Sequence, residues 1–423
     1  MKSSPTVNSL LSAASDPVRR QLRIASETAR RHGVSAWLVG GAVRDLMLPR
    51  ESHDLDLVVI GGWLPFASDL SNRLGGRLAR WPRFLTAGFV SKEGWGFDVV
   101  RARSEVYACV AGLPRVRPGT LREDLFRRDF TVNAMALRLT GSGGALADPF
   151  GGERDLGRRR LRILHDHSFV DDPGRIFRGI YMASRLGLHF EARTSKAAAD
   201  AVAAGTLAQL SRQRLRAGLE LVLTDPVTAA SSIETLVDFG VDCVLHPALA
   251  WGDATRRRLR RLAGGLVEVP IPRRWLVSLL VLTWDLKPSE HRDVLRRLGF
   301  GEHLVKQLVA AREAAHRVSR RLETLDSAYE RFTVGESLDP VARALAACCG
   351  KAPVRSFLDS EWQTLQAKRL QLRGQDLVQL GFAPGPLIGR GLEATLRARM
   401  DGRISGSEEA AYATRWLQAR DQD

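Results

Sequence analysis

The chain has 423 residues, too many for one compact core, and its 44% hydrophobic content excludes a disordered polymer. Its 63 Lys and Arg residues against 47 Asp and Glu leave a formal net charge of +16, mostly from arginine, which points to a polyanionic partner. A coding bias toward arginine accounts for part of that excess but not for the shortfall of acids.

In chain order, residues 17–33 read as an amphipathic helix ending at Gly33. The next hundred residues alternate short apolar runs with turns: AWLVGG, LDLVVIGG, RFLTAGFVS and GWGFDVVRARS. These are expected to be strands around one or two helices. DFTVNAMALRLT, from Asp129, begins a further α/β element, and DPFGGERDLGRRRLRIL turns the chain out of the mixed region. From about Asp171 apolar residues recur at helical spacing almost to the end. VEVPIPRRW (267–275) and LDPVAR (338–343) carry prolines that mark breaks among these helices. RRRLRRL (256–262) is a run of charge, read evenly as a solvated helix face or an RNA contact.

Cys109, Cys243, Cys348 and Cys349 form no CxxC pair, which argues against a zinc site or a disulfide framework and fits a reducing compartment. The longest apolar run, around Trp275 to Trp284, is too short to cross a bilayer, and the N-terminal stretch lacks a signal-peptide core. A soluble cytoplasmic protein without a membrane partner is expected.

Two local patterns carry chemistry. In DLDLVV, Asp54 and Asp56 stand two apart, so a strand turns both to one face while Leu55 and Leu57 point into a core. Asp98, in the strand-like GFDVVRA, is the expected third member, with Glu105 as its rival. Three carboxylates at strand ends suit magnesium, and two metals held that way clamp the attacking and leaving oxygens of a phosphoryl displacement. The second pattern is GGAVRD, where Gly40 and Gly41 let the backbone approach a phosphate and Arg44 reaches the same anion.

GGAVRD followed by DLDLV resembles the class II tRNA nucleotidyltransferase and bacterial poly(A) polymerase family of the polymerase-β-like superfamily. EDLFRRDFTVNAMA (123–136), DPFGGERDL (148–156) and SFVDDPGRIFRGIYMASRLG (168–187) are similar to that family's RRDxxxNA, connector and EDxxR segments, and GQDLVQLGFAPGPLIGRGL (374–392) to its tail. The resemblance is continuous over residues 35–220 and patchy beyond.

It implies an α+β fold: a small mixed-sheet head over residues 1–150, then a helical neck (151–225), body (226–335) and tRNA-binding tail (336–423). It implies that Asp54, Asp56 and Asp98 are catalytic and bind two magnesium ions, and that Gly40, Gly41 and Arg44 hold the triphosphate of ATP or CTP. Arg128, Asp129 and Asn133 match the ribose-reading motif, whose local alternative is a helix start capped by Asp129 or Thr131.

Asp172 and Arg175, one helical turn apart, are expected to present a carboxylate and a guanidinium to the Watson–Crick edge of C or A, with Arg178 following. The local alternative is an N-cap at Asp172 with Pro173 at the first helical position. Here the chain departs from the family pattern: Asp171 replaces a glutamate, Gly174 a larger residue and Tyr181 an arginine.

The implied partner is the tRNA 3′ end, with Arg256, Arg257, Arg258, Arg260, Arg261, Arg273 and Arg274 as candidate phosphate contacts. The implied reaction is addition of C and A ribonucleotides to that end with release of pyrophosphate. The wording SFVDDPxRIFR and LPRVRPGTLREDL (113–125) also resembles members that add only the terminal A beside a separate CC-adding enzyme. A poly(A) polymerase and an inactive RNA-binding module are the remaining alternatives.

Overall fold

The computed structural model describes residues 14–48, 50, 54–140, 146–263, 269 and 274–420. The chain divides into two compact units, Met1–Leu221 with Asp238–Val244, and Val222–Val237 with Leu245–Asp423. The expected head falls in the first and the expected tail in the second; residues 222–225 of the expected neck lie in the second unit, and Asp238–Val244 of the expected body lie in the first.

The first unit opens with α1 (Asp16–Arg31), whose Val18, Leu22, Ala25 and Ala29 recur at helical spacing and are buried. A glycine in the left-handed region, Gly33, turns the chain into β1 (Ser35–Val39). Then come α2 (Gly41–Met47), β2 (Asp54–Ile60), α3 (Trp63–Arg73), β3 (Ala79–Trp81), β4 (Thr86–Val90) and β5 (Gly96–Arg101). A hairpin of β6 (Arg103–Val106) and β7 (Arg115–Pro118) leads to α4 (Leu121–Phe126), β8 (Ala136–Arg138) and β9 (Leu146–Ala147).

These strands form a seven-stranded sheet in the order β3-β4-β5-β2-β1-β8-β9. Only β2 and β5 run parallel; the other neighbours are antiparallel.

The sheet is covered unequally. On one face, Leu55, Leu57, Phe97 and Val99 join Phe66, Leu70 and the apolar stripe of α1 in the main core, with Phe89 and Phe97 stacked at 4.9 Å. On the other face, a small second core gathers Val39, Val58, Leu125, Ala134 and Ala136. It covers only one end of β2. Along that face the burial therefore falls from Val58, buried, to Asp56, half-buried, to Asp54, exposed.

Beyond β9 come α5 (Gly152–Gly157), β10 (Arg160–Leu161), α6 (Ser168–Asp171) and α7 (Gly174–Leu186), then β11 (His189–Phe190), α8 (Ala192–Ala203) and α9 (Arg212–Leu223). Helix α7 ends in a left-handed Gly187. The second unit is helical throughout its described length. A terminal cluster of Leu377, Ile388, Ala413 and Leu417 joins its last three helices. Among the described residues no helix is long and apolar enough to cross a membrane, and the four cysteines are free.

Candidate active site

Strand register assembles the carboxylates. β2 places Asp54 and Asp56 on the open face, and the parallel pairing of β2 with β5 sets Asp98 directly beside Asp56 and Gly96 beside Asp54. On the other side of β2, Val39 at the end of β1 pairs with Asp56, so the turn that follows begins next to that carboxylate.

Gly40 makes this turn at φ +72°, a conformation side-chain-bearing residues rarely adopt. A Cβ there would lie 2.8 Å from Arg128 Nη1 and 3.1 Å from Asp56 Oδ2. Gly40→Ala is therefore expected to lower stability by about 1–3 kcal/mol through strain and crowding, visible as a lower melting temperature.

The carboxylates strain against each other. Burial pushes the Asp56 carboxyl above its ordinary range; Arg128 opposes this, while Asp98 and Asp54 add to it. Asp98 is raised as well, first by desolvation and then by Asp54. Among the described residues no three carboxylate, imidazole or thiol side chains close around one point as a finished metal site. The donor set fits magnesium in kind, being hard oxygen under repulsion that Arg128 offsets only in part, and its open side leaves room for ligands from a bound substrate. The cleft holding the three measures about 390 Å³ and is also lined by Arg77, Trp81 and Gly88.

Glu105 is not a rival ligand. It lies on β6, in the separate hairpin sheet, and is neutralised by Arg103 at 2.7 Å and Arg127 at 3.1 Å. It also accepts a hydrogen bond from Tyr107 Oη at 3.0 Å. Burial and Glu105 push that phenol up to about 12.

Arg44 departs from its expected role. It sits on the same face of α2 as Gly41, is buried, and pairs with Asp45 at 2.8 Å while donating to Asn133 Oδ1 at 2.7 Å. It braces the turn and does not present an open guanidinium to a phosphate. Asn133 in turn donates to Asp129 Oδ1 at 3.0 Å, and Asp129 Oδ2 accepts from Arg178 Nε at 3.2 Å. Burial acts to raise the Asp129 carboxyl, but Arg178, Asn133 and Arg175 outweigh it and hold the group below its usual range.

Neither Asp129 nor Thr131 caps a regular helix. Residues Thr131–Asn133 make one 3-10 turn, and Thr131 instead donates to Asp155 at 2.7 Å. Arg128 reaches Asp124, a fully buried carboxylate that also holds Arg127.

The expected Asp172–Arg175 pair does not form. Helix α7 starts at Gly174, so Asp172 lies outside it in extended backbone, and the two do not share a helix face. Arg175, in the first turn, points inward, is 3% exposed, and donates to Ser168 Oγ and the Arg127 carbonyl, each at 2.6 Å.

Asp172 is held by other arginines: Arg178 on Oδ2 at 2.8 Å and Arg214 of α9 on Oδ1 at 2.5 Å. The Gly174 N–H adds a third bond, to Oδ1, at 3.0 Å, so the carboxylate still caps the start of the helix from one residue further back. Against the raising effect of burial, these partners hold Asp172 below its ordinary range. A carboxylate has about four acceptor positions, so Oδ2 keeps room for a further donor. Tyr181 lies later on α7 with the Arg185 guanidinium 5.7 Å from its ring centre.

Sequence reasoning missed Arg214, Asp124 and Gly88. Gly88, inside a strand-like run, carried the signal of a close approach: a Cβ there would lie 2.6 Å from Asp98 Oδ1. Arg214 is one arginine among many, and nothing local marked it.

The candidate RNA contacts belong to the second unit and are unequal. Arg256 pairs with Glu234 and Asp253, Arg258 with Asp285 at 2.6 Å, and Arg261 donates to the Cys348 carbonyl at 3.4 Å. Arg274 donates to the Val269 carbonyl at 3.4 Å. Arg257 and Arg260 are exposed, and Arg273 lies outside the described residues.

Residues 36–162 match the Poly A polymerase head domain. The chain is 32% identical to the A-adding tRNA nucleotidyltransferase of Halalkalibacterium halodurans, over 93% of this chain and 91% of that one. It is 33% identical to the CC-adding tRNA nucleotidyltransferase of Deinococcus radiodurans, over 92% of each. An A-adding relative from Geobacter sulfurreducens is 31% identical, and the chain spans 46% of that longer protein. The structure superposes on the Thermotoga maritima CCA-adding enzyme complexed with tRNA with a TM-score of 0.76 at 26% identity, over 98% of both chains. With its carboxylate-bearing head, its helical remainder and this similarity along nearly its whole length, the chain belongs to the tRNA nucleotidyltransferase family.

Proposed function

We propose that this protein adds ribonucleotides from CTP and ATP to the 3′ end of tRNA without a nucleic-acid template. The observation that carries this reading is the placing of Asp54, Asp56 and Asp98 on one open sheet face beside the Gly40 turn. Asp54 and Asp56, with Asp98, would hold two magnesium ions, which would neutralise the triphosphate and favour ionisation of the attacking hydroxyl. The 3′-oxygen of the RNA forms the new bond to the α-phosphorus, the bond to the β-phosphate oxygen breaks, and pyrophosphate leaves. The hydroxyl proton passes to water.

Gly40 keeps the phosphate path clear, and Arg128 carries positive charge between it and Asp56. Asp129 and Asn133, cross-linked to Arg178 and Arg44, form the ribose side. Asp172 offers its remaining acceptor position to the exocyclic amine of cytosine or adenine. Uracil and guanine present an oxygen at that place and are rejected by like facing like.

A second reading, addition of the terminal A alone after a separate CC-adding enzyme, is favoured by the A-adding relatives at 31% and 32% identity. One experiment separates them. The purified protein is incubated with tRNA lacking CCA, or ending in CC, and each labelled nucleoside triphosphate with magnesium. Labelling of both acceptors supports CCA addition, and labelling of the CC end by ATP alone supports A addition. Growth beyond CCA indicates a poly(A) polymerase, and no incorporation overturns the enzyme reading.

The excess of 63 basic over 47 acidic residues predicts that tRNA binding rests largely on phosphate contacts. If about six phosphates are neutralised, affinity should fall roughly a thousandfold between 50 and 200 mM salt in filter-binding titrations. Charge reversal at exposed Arg257 and Arg260 should flatten that slope, whereas reversal at Arg258, paired to Asp285, should act mainly on stability.

A further inference from the structure

The cleft around Asp56 has two sides. On the β1 side lie Gly40 and Arg128, and beyond them Asp129, Arg178 and Asp172. On the other side β5, β4 and β3 follow in order, and their register sets Gly88 beside Asp98 and Ala79 beside Gly88. Gly88 leaves the floor bare. The point where its Cβ would stand is 2.6 Å from Asp98 Oδ1 and 3.2 Å from Trp81 Cζ3, so the indole and the carboxylate face each other across a gap that only glycine keeps open.

Trp81 is 48% exposed, at the end of a three-residue edge strand whose side chains all face solvent. Arg77, exposed, lines the same cleft. A large apolar ring is a poor guard for a sheet edge, where charge is the usual device, and Arg80 already supplies charge there. The ring therefore calls for another explanation.

In-line displacement requires the attacking oxygen and the leaving pyrophosphate to lie on opposite sides of the α-phosphorus. With the triphosphate on the β1 side, the attacking hydroxyl must arrive over β5 and β4. We propose that Trp81 is the stacking platform for the 3′-terminal nucleotide of the acceptor RNA, with Arg77 as the cation for that nucleotide's phosphate. The inference rests on the tRNA 3′-end reading above.

Indole offers a broad π-face, every base has one, and stacking tolerates whichever base ends the acceptor. Gly88 keeps the route from this platform to Asp98 free of side chains. Trp81 is thus a positioning residue for the second substrate and takes no part in holding the first.

The test is steady-state kinetics of the full chain on a tRNA acceptor, with its terminal base present or replaced by an abasic residue. Trp81→Ala should raise the KM for the acceptor about 5- to 150-fold, the span set by loss of one base–aromatic stack. The KM for ATP should stay unchanged and Trp81→Phe should recover most of the loss. Removing the terminal base should cost the natural chain a similar factor and cost Trp81→Ala nothing further.

An active natural chain whose Trp81→Ala variant keeps its acceptor KM overturns the platform alone. Equal damage to both substrates without rescue by phenylalanine also overturns it, showing a structural role. A natural chain that labels no tRNA end overturns the parent reading, and the platform with it.

Discussion

Asp56→Asn should transfer no measurable nucleotide, a loss of at least about a thousandfold, and yet melt at a higher temperature than the natural chain at neutral pH. The two effects share one cause. Asp56 is half-buried, crowded by Asp98 and Asp54 and only partly relieved by Arg128, so its folded-state carboxyl titrates above the ordinary range.

The sign of the pH dependence follows. A carboxyl raised on folding favours the native state when protonated, and that contribution fades as pH rises through the raised value. At neutral pH the natural chain therefore carries an incompletely relieved charge that asparagine removes, a gain of about 0.5–2 kcal/mol. Below about pH 3.9, the ordinary aspartate value, the natural carboxyl is protonated in both states and the two proteins should melt alike. The melts belong in a chelating buffer. Magnesium should raise the melting temperature of the natural chain more than that of the variant, because the cation supplies the missing countercharge. Equal melting at neutral pH without metal would show that Asp98 and Asp54 do not strain Asp56 as their register implies.

Asp172→Ala should damage nucleotide choice more than it damages the fold. The carboxylate is gripped by Arg178 at 2.8 Å and Arg214 at 2.5 Å, and Arg214 has a second hold, on the Ala111 carbonyl at 2.7 Å. Both arginines keep another partner after the substitution, Arg178 through Asp129. Truncating one partner of a desolvated charged hydrogen bond costs about 2–5 kcal/mol, so kcat/KM for ATP should fall roughly 30- to 5,000-fold. Incorporation of GTP and UTP, expected to be low in the natural chain, should fall far less, so selectivity collapses.

Arg214→Ala separates orientation from chemistry. It leaves the carboxylate in place on Arg178 and the Gly174 N–H, and selectivity should drop by a smaller factor while magnesium dependence is unchanged. If selectivity against each nucleoside triphosphate survives Asp172→Ala, the base is read elsewhere in the cleft.

The period-two pattern of DLDLVV settled which face Asp54 and Asp56 share, because a strand offers only two faces and the leucines claim one. Gly40 was legible for a similar reason, since a glycine pair between a strand and a helix marks a turn needing positive φ. The change from alternating apolar runs to helical spacing marked where the mixed head gives way to helices.

Local pattern failed where a helix boundary moved by a residue or two. Asp172 and Arg175 stand at a spacing that one continuous helix would turn to one side, but Pro173 and Gly174 delay its start, and Arg175 goes to the interior. The place of Arg44 after two glycines points to an anion. Arg44's real partners, Asp45 and Asn133, include one 89 residues away.

By itself, then, the sequence determined the family, the order of mixed sheet before helices, and the face on which two carboxylates stand. These rest on local periodicity and on turn residues with few allowed conformations. The tertiary structure decided everything that depends on which distant segments touch: that parallel pairing sets Asp98 beside Asp56, that Arg214 is Asp172's partner, that Glu105 is spent on Arg103 and Arg127, and that Trp81 overlooks the carboxylates across Gly88. Strand register and long-range ion pairs leave no periodic trace along the chain. They arise only when separate segments compete to bury apolar surface and neutralise charge in the same place.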